Sequence, residues 1–201
     1  MPPVVGDETI VHKYAKLYLL PQNQQGFDED ATSGVTTALG AGGGVLAEVS
    51  VAAAEINGLA METGDELYWY LPIAALNGFD LTRDIHAQVF FESKKTGATA
   101  GVDFTFVAKG IALGQVLSDA KVSPDGTITF AAAASASPGI LCATEQAALQ
   151  VAGELSADKM VMFAVTLADD GDAAADDIVL LWVELTGTAQ ICDSSGIPQR
   201  T

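Results

Sequence analysis

Positive charge is scarce in this chain: its 201 residues carry 9 Lys+Arg against 26 Asp+Glu, a formal net charge of −17. A field of that sign repels nucleic-acid phosphates and anionic membranes, so neither is expected as a partner. Histidine occurs only twice, at His12 and His86, which excludes a three-histidine zinc site and leaves little for acid–base work. The two cysteines, Cys142 and Cys192, stand far apart and in no metal-ligand spacing. That usage suits reduced core residues better than a bridge, though spacing alone leaves their pairing open. No run approaches the ~20 apolar residues of a membrane span. The start, Met-Pro-Pro-Val-Val-Gly-Asp-Glu, lacks the basic and apolar regions of a signal peptide, so folding in a cytosol is expected.

What the chain does have is strict alternation of apolar and polar residues in short runs closed by Gly, Asp, Asn or Pro. Val102, Phe104, Phe106 and Ala108 share one face of an extended segment, with Asp103, Thr105 and Lys109 on the other. A period of two marks a half-buried strand. Similar runs fall at residues 10–20, 45–54, 66–71, 85–92, 126–132, 159–167 and 178–186. Asn57-Gly58 and Ser123-Pro124-Asp125-Gly126 read as turns, the second closing a hairpin. Residues 142–149 suit a helical turn or two, although Leu149 and Val151 also fit a strand. The last two runs are expected to pair antiparallel across the acidic loop 169–177. No long amphipathic helix intervenes. The expectation is an all-β chain: an antiparallel β-sandwich, jelly-roll-like, of eight or nine strands. It would comprise an extended N-terminal arm at 1–9 and one domain at 10–201 with a long loop at 21–44.

The candidate sites are few. Gly40-Ala41-Gly42-Gly43-Gly44 precedes no Gly-Lys-Ser/Thr and opens no helix, so it reads as a loop and not a phosphate cradle. Asp169-Asp170-Gly171-Asp172 with Asp176 and Asp177 could offer oxygen ligands to calcium, but the spacing is not that of an EF-hand. No Gly-x-Ser-x-Gly elbow occurs and nothing selects a pair among the carboxylates. No catalytic residue, cofactor or metal site is therefore assigned, and the chain is expected not to be an enzyme. Tyr68 and Tyr70, alternating with inward Leu67, Trp69 and Leu71, are outward aromatic residues suited to a subunit contact or to a platform for sugar rings; Phe90 points outward as well.

Residues 65–73 (Asp-Glu-Leu-Tyr-Trp-Tyr-Leu-Pro-Ile), 79–85 (Phe-Asp-Leu-Thr-Arg-Asp-Ile) and 89–92 (Val-Phe-Phe-Glu) together resemble sandwich-fold structural proteins of tailed-phage virions. The later rhythm, Gly153-Glu154-Leu155-Ser156-Ala157-Asp158, then an acidic loop and Ile178-Val179-Leu180-Leu181-Trp182-Val183-Glu184-Leu185, is similar too. The resemblance covers roughly residues 65–186. It implies a non-enzymatic capsid decoration or cement protein, made in the host cytoplasm and located on the capsid surface of the virion. Such a protein binds outside the shell, stabilises contacts between capsomers and is often a homotrimer, with the major capsid protein as its partner. On that reading Val4, Val5, Ile10 and Val11 would be apolar anchors in the arm, and Tyr68 and Tyr70 would sit at a subunit contact. The alternative is a carbohydrate-binding or host-attachment module, using Tyr68, Tyr70 and Trp182, or a tail or baseplate component of a phage particle.

Overall fold

The computed structural model describes residues 14–23, 26–28, 46–51, 54–93, 101–115, 124–133, 140–155, 159–169 and 178–189. Twelve strands lie among them: β1 (Tyr14–Leu19), β2 (Gly26–Asp28), β3 (Leu46–Val51), β4 (Ala54–Met61), β5 (Glu66–Pro72), β6 (His86–Ser93), β7 (Gly101–Ile111), β8 (Gly126–Ala133), β9 (Leu141–Ala143), β10 (Ala147–Ala148), β11 (Met160–Asp169) and β12 (Ile178–Thr188). Five form one sheet in the order β2-β5-β11-β7-β8. The other seven form a second sheet, β10-β6-β12-β4-β3, with β1 also paired to β12 and β9 to β6. Every pairing among them is antiparallel. The chain is thus an all-β antiparallel sandwich of jelly-roll type.

Alternation explains why the sheets stack. Phe104, Phe106 and Ala108 of β7, Val161, Phe163, Val165 and Leu167 of β11, and Leu67 and Trp69 of β5 all bury into one core between the sheets. Ala87, Val89 and Phe91 of β6 meet them from the opposite sheet. Phe91 and Phe104 touch across the sandwich with ring centroids 5.1 Å apart and planes tilted by 57°, a favoured edge-biased geometry. A buried indole N–H needs an acceptor, and Trp69 Nε1 donates to the Leu20 carbonyl at 2.9 Å. That bond ties the end of β1, in the seven-stranded sheet, to β5 of the five-stranded one.

Four sequence expectations change. First, β11 and β12 do not pair with each other: β11 lies between β5 and β7, and β12 belongs to the other sheet. Both are central strands, β11 apolar on both faces and β12 so in its first half, and each takes two neighbours. Second, Asn57-Gly58 is not a turn but part of β4. A Cβ at Gly58 would collide with Val179 Cγ1 and stand 2.7 Å from the Leu180 carbonyl oxygen, so the glycine serves close packing against β12. Third, residues 142–149 form no helix; they carry β9 and β10, two short strands against β6. Fourth, the expected loop 21–44 holds a 3-10 turn at Pro21–Asn23 and the three-residue strand β2, too short to show a period. The arm 1–9 and residues 40–44 lie outside the described residues.

The pairing of β7 with β8 is as expected, although residues 112–125 make a longer connection than a tight hairpin. Asp125 fixes its end. Its carboxylate accepts from Gly110 N at 2.7 Å and from Lys109 Nζ at 2.5 Å, while its own N–H donates to the Ala108 carbonyl at 2.8 Å.

A β-bulge between Leu180 and Trp182 resets the phase of β12. Ile178 and Leu180 face the core before it, and Val183 and Leu185 after it. Val179 and Leu181, expected inward by simple alternation, instead form a separate cluster on the outer face with Trp182 against them. From Trp182 onward the outward positions are Trp182, Glu184, Thr186 and Thr188.

Candidate functional site: a polar cleft on the outer face of the seven-stranded sheet

The polar half of that outer face is assembled from three neighbouring strands. In β1, Ala15, Leu17 and Leu19 turn to the core, which leaves Tyr14, Lys16 and Tyr18 outward. Register then aligns the side chains into rows. Tyr14 stands opposite Thr188; Lys16 opposite Thr186, which is opposite His86; and Tyr18 opposite Glu184, which is opposite Gln88. A further row, Trp182 with Phe90, closes this area toward the apolar cluster, the two rings stacked at 4.6 Å and 16°.

A cleft of about 590 Å³ opens over these rows. Tyr14 and Lys16 line it from β1, Glu184, Thr186 and Thr188 from β12, and His86 and Gln88 from β6. Asp84 and Gln146 complete the rim from two connecting segments. Tyr14 is 74% exposed and Tyr18 50%, which makes them the two most exposed aromatic rings among the described residues.

Internal bonds hold the polar side chains in place. Lys16 Nζ donates to Glu184 Oε1 at 2.8 Å, and this bond holds the ammonium above its ordinary value against the opposing pull of desolvation. Gln146 Nε2 lies 2.5 Å from the hydroxyl of the buried Thr186. Gln88 Nε2 donates to the Thr144 carbonyl at 2.8 Å, and Thr144 Oγ1 in turn accepts from Val89 N at 3.0 Å.

The wall that carries Asp84 is knitted from two connections. Phe79 N donates to the Leu76 carbonyl and Asp80 N to that of Thr188. The Asp80 carboxylate accepts from the N–H and the hydroxyl of Thr82 and meets Arg83 Nε at 3.3 Å; these contacts, the Thr82 hydroxyl first, hold its carboxyl below the usual range. Across the cleft edge, Leu149 N donates to the Ile85 carbonyl, Gly153 N to that of Leu81, and Ala152 N to Asp84 Oδ1 at 3.1 Å. Gly187 lies under this wall; a Cβ there would come within 2.8 Å of Phe79 Cδ1.

The residues singled out from sequence fall differently. Tyr68 is 2% exposed: it packs with Ile111, Met162 and Ala164 on the outer face of the five-stranded sheet, and its hydroxyl donates to Glu66 Oε2 at 2.5 Å. Tyr70 is half-buried beside it, the rings stacked at 6.4 Å. Neither presents an open aromatic platform, because Ile111 from β7 and the apolar outer positions of β11 enclose Tyr68. Trp182 and Phe90 are likewise half-buried against each other. Val4, Val5, Ile10 and Val11 lie outside the described residues, as do His12, Cys192 and residues 170–177. Asp169 ends β11 in an exposed position, and Cys142 is a buried free thiol. Alternation within the runs 10–20 and 85–92 puts Tyr14, Lys16, Tyr18, His86 and Gln88 on the outward side of their strands. The adjacency of β1 and β6 on either side of β12 is what converts them into one site.

No protein-family model matches the sequence, and no curated protein matches it. Among solved structures, the chain is similar to a carbohydrate-binding module, CBM6cm-2, from Cellvibrio mixtus lichenase 5A in complex with cellotriose, at 13% identity and a TM-score of 0.46; the match covers 86% of this chain and 97% of that one. It is also similar to a family 30 carbohydrate-binding module, at 9% identity and a TM-score of 0.27, covering 86% of this chain and 96% of that one.

Proposed function

We propose that this protein is a non-catalytic binding module that takes carbohydrate on the outer face of its seven-stranded sheet. The observation that carries this reading is the exposed Tyr14 ring at the mouth of a cleft whose other walls are hydrogen-bonding side chains. A sugar offers a weakly apolar C–H face and a ring of hydroxyls. The first packs on an exposed aromatic ring, and the second is read by side-chain amides, carboxylates and an ammonium held in fixed positions. Gln88, Gln146 and Glu184 are each anchored by an internal bond, so little rotamer freedom remains to be lost on binding.

A glycan array followed by titration calorimetry on the best oligosaccharide tests it. Tyr14→Ala should weaken binding about tenfold, ~1.4 kcal/mol, with an unchanged melting temperature. A blank array, or an unaltered affinity in Tyr14→Ala, would overturn the reading.

A second reading, the capsid decoration protein implied by the virion resemblance, is favoured by apolar side chains that the cleft does not use. Leu113 is 84% exposed, and Ile140 and Leu141, beside and on the short strand β9, are 49% and 55% exposed. Contact with a major capsid protein, or between copies in a trimer, would cover them. A trimeric mass by light scattering, with capsid binding lost in Leu141→Glu, would support this role; a monomer that ignores capsids would remove it.

A further inference from the structure

The carboxylates and amides of the cleft keep oxygens that their internal bonds leave open. The Thr144 carbonyl can only accept, so Gln88 must meet it with its amide nitrogen, and the Gln88 carbonyl oxygen remains free. Gln146 meets the Thr186 hydroxyl through its amide nitrogen, which leaves its carbonyl oxygen open as well. Asp84 commits Oδ1 to Ala152 N, and Glu184 commits Oε1 to Lys16, so each carboxylate retains one oxygen. Among the described residues the sole ammonium lining the cleft is already paired, and two carboxylates against one lysine leave a net negative lining in a chain of formal charge −17.

From these open oxygens and the net negative charge of the lining we infer that the ligand is a cationic amino sugar, an oligosaccharide carrying free ammonium groups; the inference rests on the carbohydrate reading and specifies its ligand. An ammonium supplies up to three donors and a positive charge to the free oxygens of Asp84, Glu184, Gln88 and Gln146. A uronate or sulfated glycan would instead bring negative charge to a net negative lining, where the lining lysine among the described residues is already paired. Lys16 then acts as a positioning residue: it holds one oxygen of Glu184 and directs the other toward the ligand.

Calorimetry on the full chain at low salt, with three hexasaccharides, tests the assignment. The probes are the glucosamine hexamer, its fully N-acetylated form, which keeps the backbone and removes the charge, and a galacturonate hexamer. Below the amine pKa the glucosamine hexamer should bind about tenfold or more tighter than the acetylated form, and the galacturonate hexamer should not bind. Asp84→Asn should remove most of that preference. Glu62→Gln, which deletes an exposed charge at the far end of the sheet, should leave it intact and so separates site recognition from attraction by the overall acidity. Equal affinity for the charged and acetylated hexamers, or an equal loss in Glu62→Gln, would overturn the amino-sugar assignment while leaving carbohydrate binding in place. Failure of every glycan, including those of the array, would overturn both.

Discussion

The two outer faces of the sandwich carry similar sequence signals and end in opposite states. On the five-stranded sheet, outward Tyr68 lies against Ile111, Met162 and Ala164 and is closed off; on the seven-stranded sheet, outward Tyr14 and Tyr18 stand in the open beside Lys16, Glu184 and His86. The difference lies in the neighbours across the strands and not in the tyrosines. Tyr68 has Ala164 opposite it in the register and Met162 on the adjacent row, apolar residues of a strand buried on both faces. Tyr14 and Tyr18 have Thr188 and Glu184 opposite them. An aromatic residue on an outward position is therefore core or surface according to the strand it is paired with, and cross-strand partners decide its energetics.

Exchange of the two tyrosines for alanine should break this comparison most visibly. Tyr68→Ala removes a buried ring and leaves the Glu66 carboxylate without its phenolic donor, and should lower stability by about 3–5 kcal/mol in a denaturant titration. Tyr14→Ala, at a 74% exposed position, should stay within about 0.5 kcal/mol of the parent. Equal losses in the two variants would show that the faces are not differentiated as described.

The seven-stranded sheet itself divides at the bulge near Leu180, with an apolar, covered half and a polar, open half. Gly58→Ala probes the covered half, where the added methyl would meet Val179 and the Leu180 backbone; it should cost about 1–3 kcal/mol and leave glycan binding alone once the protein is folded. A Gly58→Ala protein as stable as the parent would contradict the close packing against β12.

The smallest effects come from two exposed charge contacts near the cleft, and they act on opposite limbs of the stability profile. The Lys16 ammonium is held above its ordinary value by Glu184, so its contribution is complete below that value and fades as pH rises through the raised one. The Asp80 carboxyl is held low by Thr82 and Arg83, so its contribution is present above the ordinary carboxylate value and is lost as pH falls through the lowered one. In melting curves against pH, Lys16→Met should lie below the parent at neutral pH and rejoin it only on the alkaline limb, and Asp80→Asn should lie below it at neutral pH and rejoin it only on the acid limb. A crossed result would show that the contacts are assigned to the wrong groups.

Much of the core was legible from alternation: the inward sets of β5, β6, β7 and β11 are the residues the period of two selects. The phase of β12 was not, because a bulge inserts a residue without any marker in an apolar run such as Ile178-Val179-Leu180-Leu181. Nor was the separation of β11 from β12 into different sheets. Two adjacent apolar strands read as a hairpin locally, and only the competition among all strands for two-sided partners sends them apart. For the site, sequence placed the outward residues of β1 and β6 but could not align them, since their rows exist only through β12. The virion-like segments at 65–73, 79–85 and 178–185 contribute Leu67, Trp69, Phe79, Ile85, Leu180 and Leu185 to the core. That cadence is largely one of core construction, and so it carries fold more directly than partner.

Backbone amide NMR during titration with the oligosaccharide selected by the array is the most direct test of where this protein binds. The account predicts shifts concentrated at Tyr14, Lys16, Asp84, His86, Gln88, Gln146 and Glu184, with the amides around Tyr68 and Tyr70 unmoved. Shifts centred on Tyr68 and Tyr70, with the cleft silent, would contradict it.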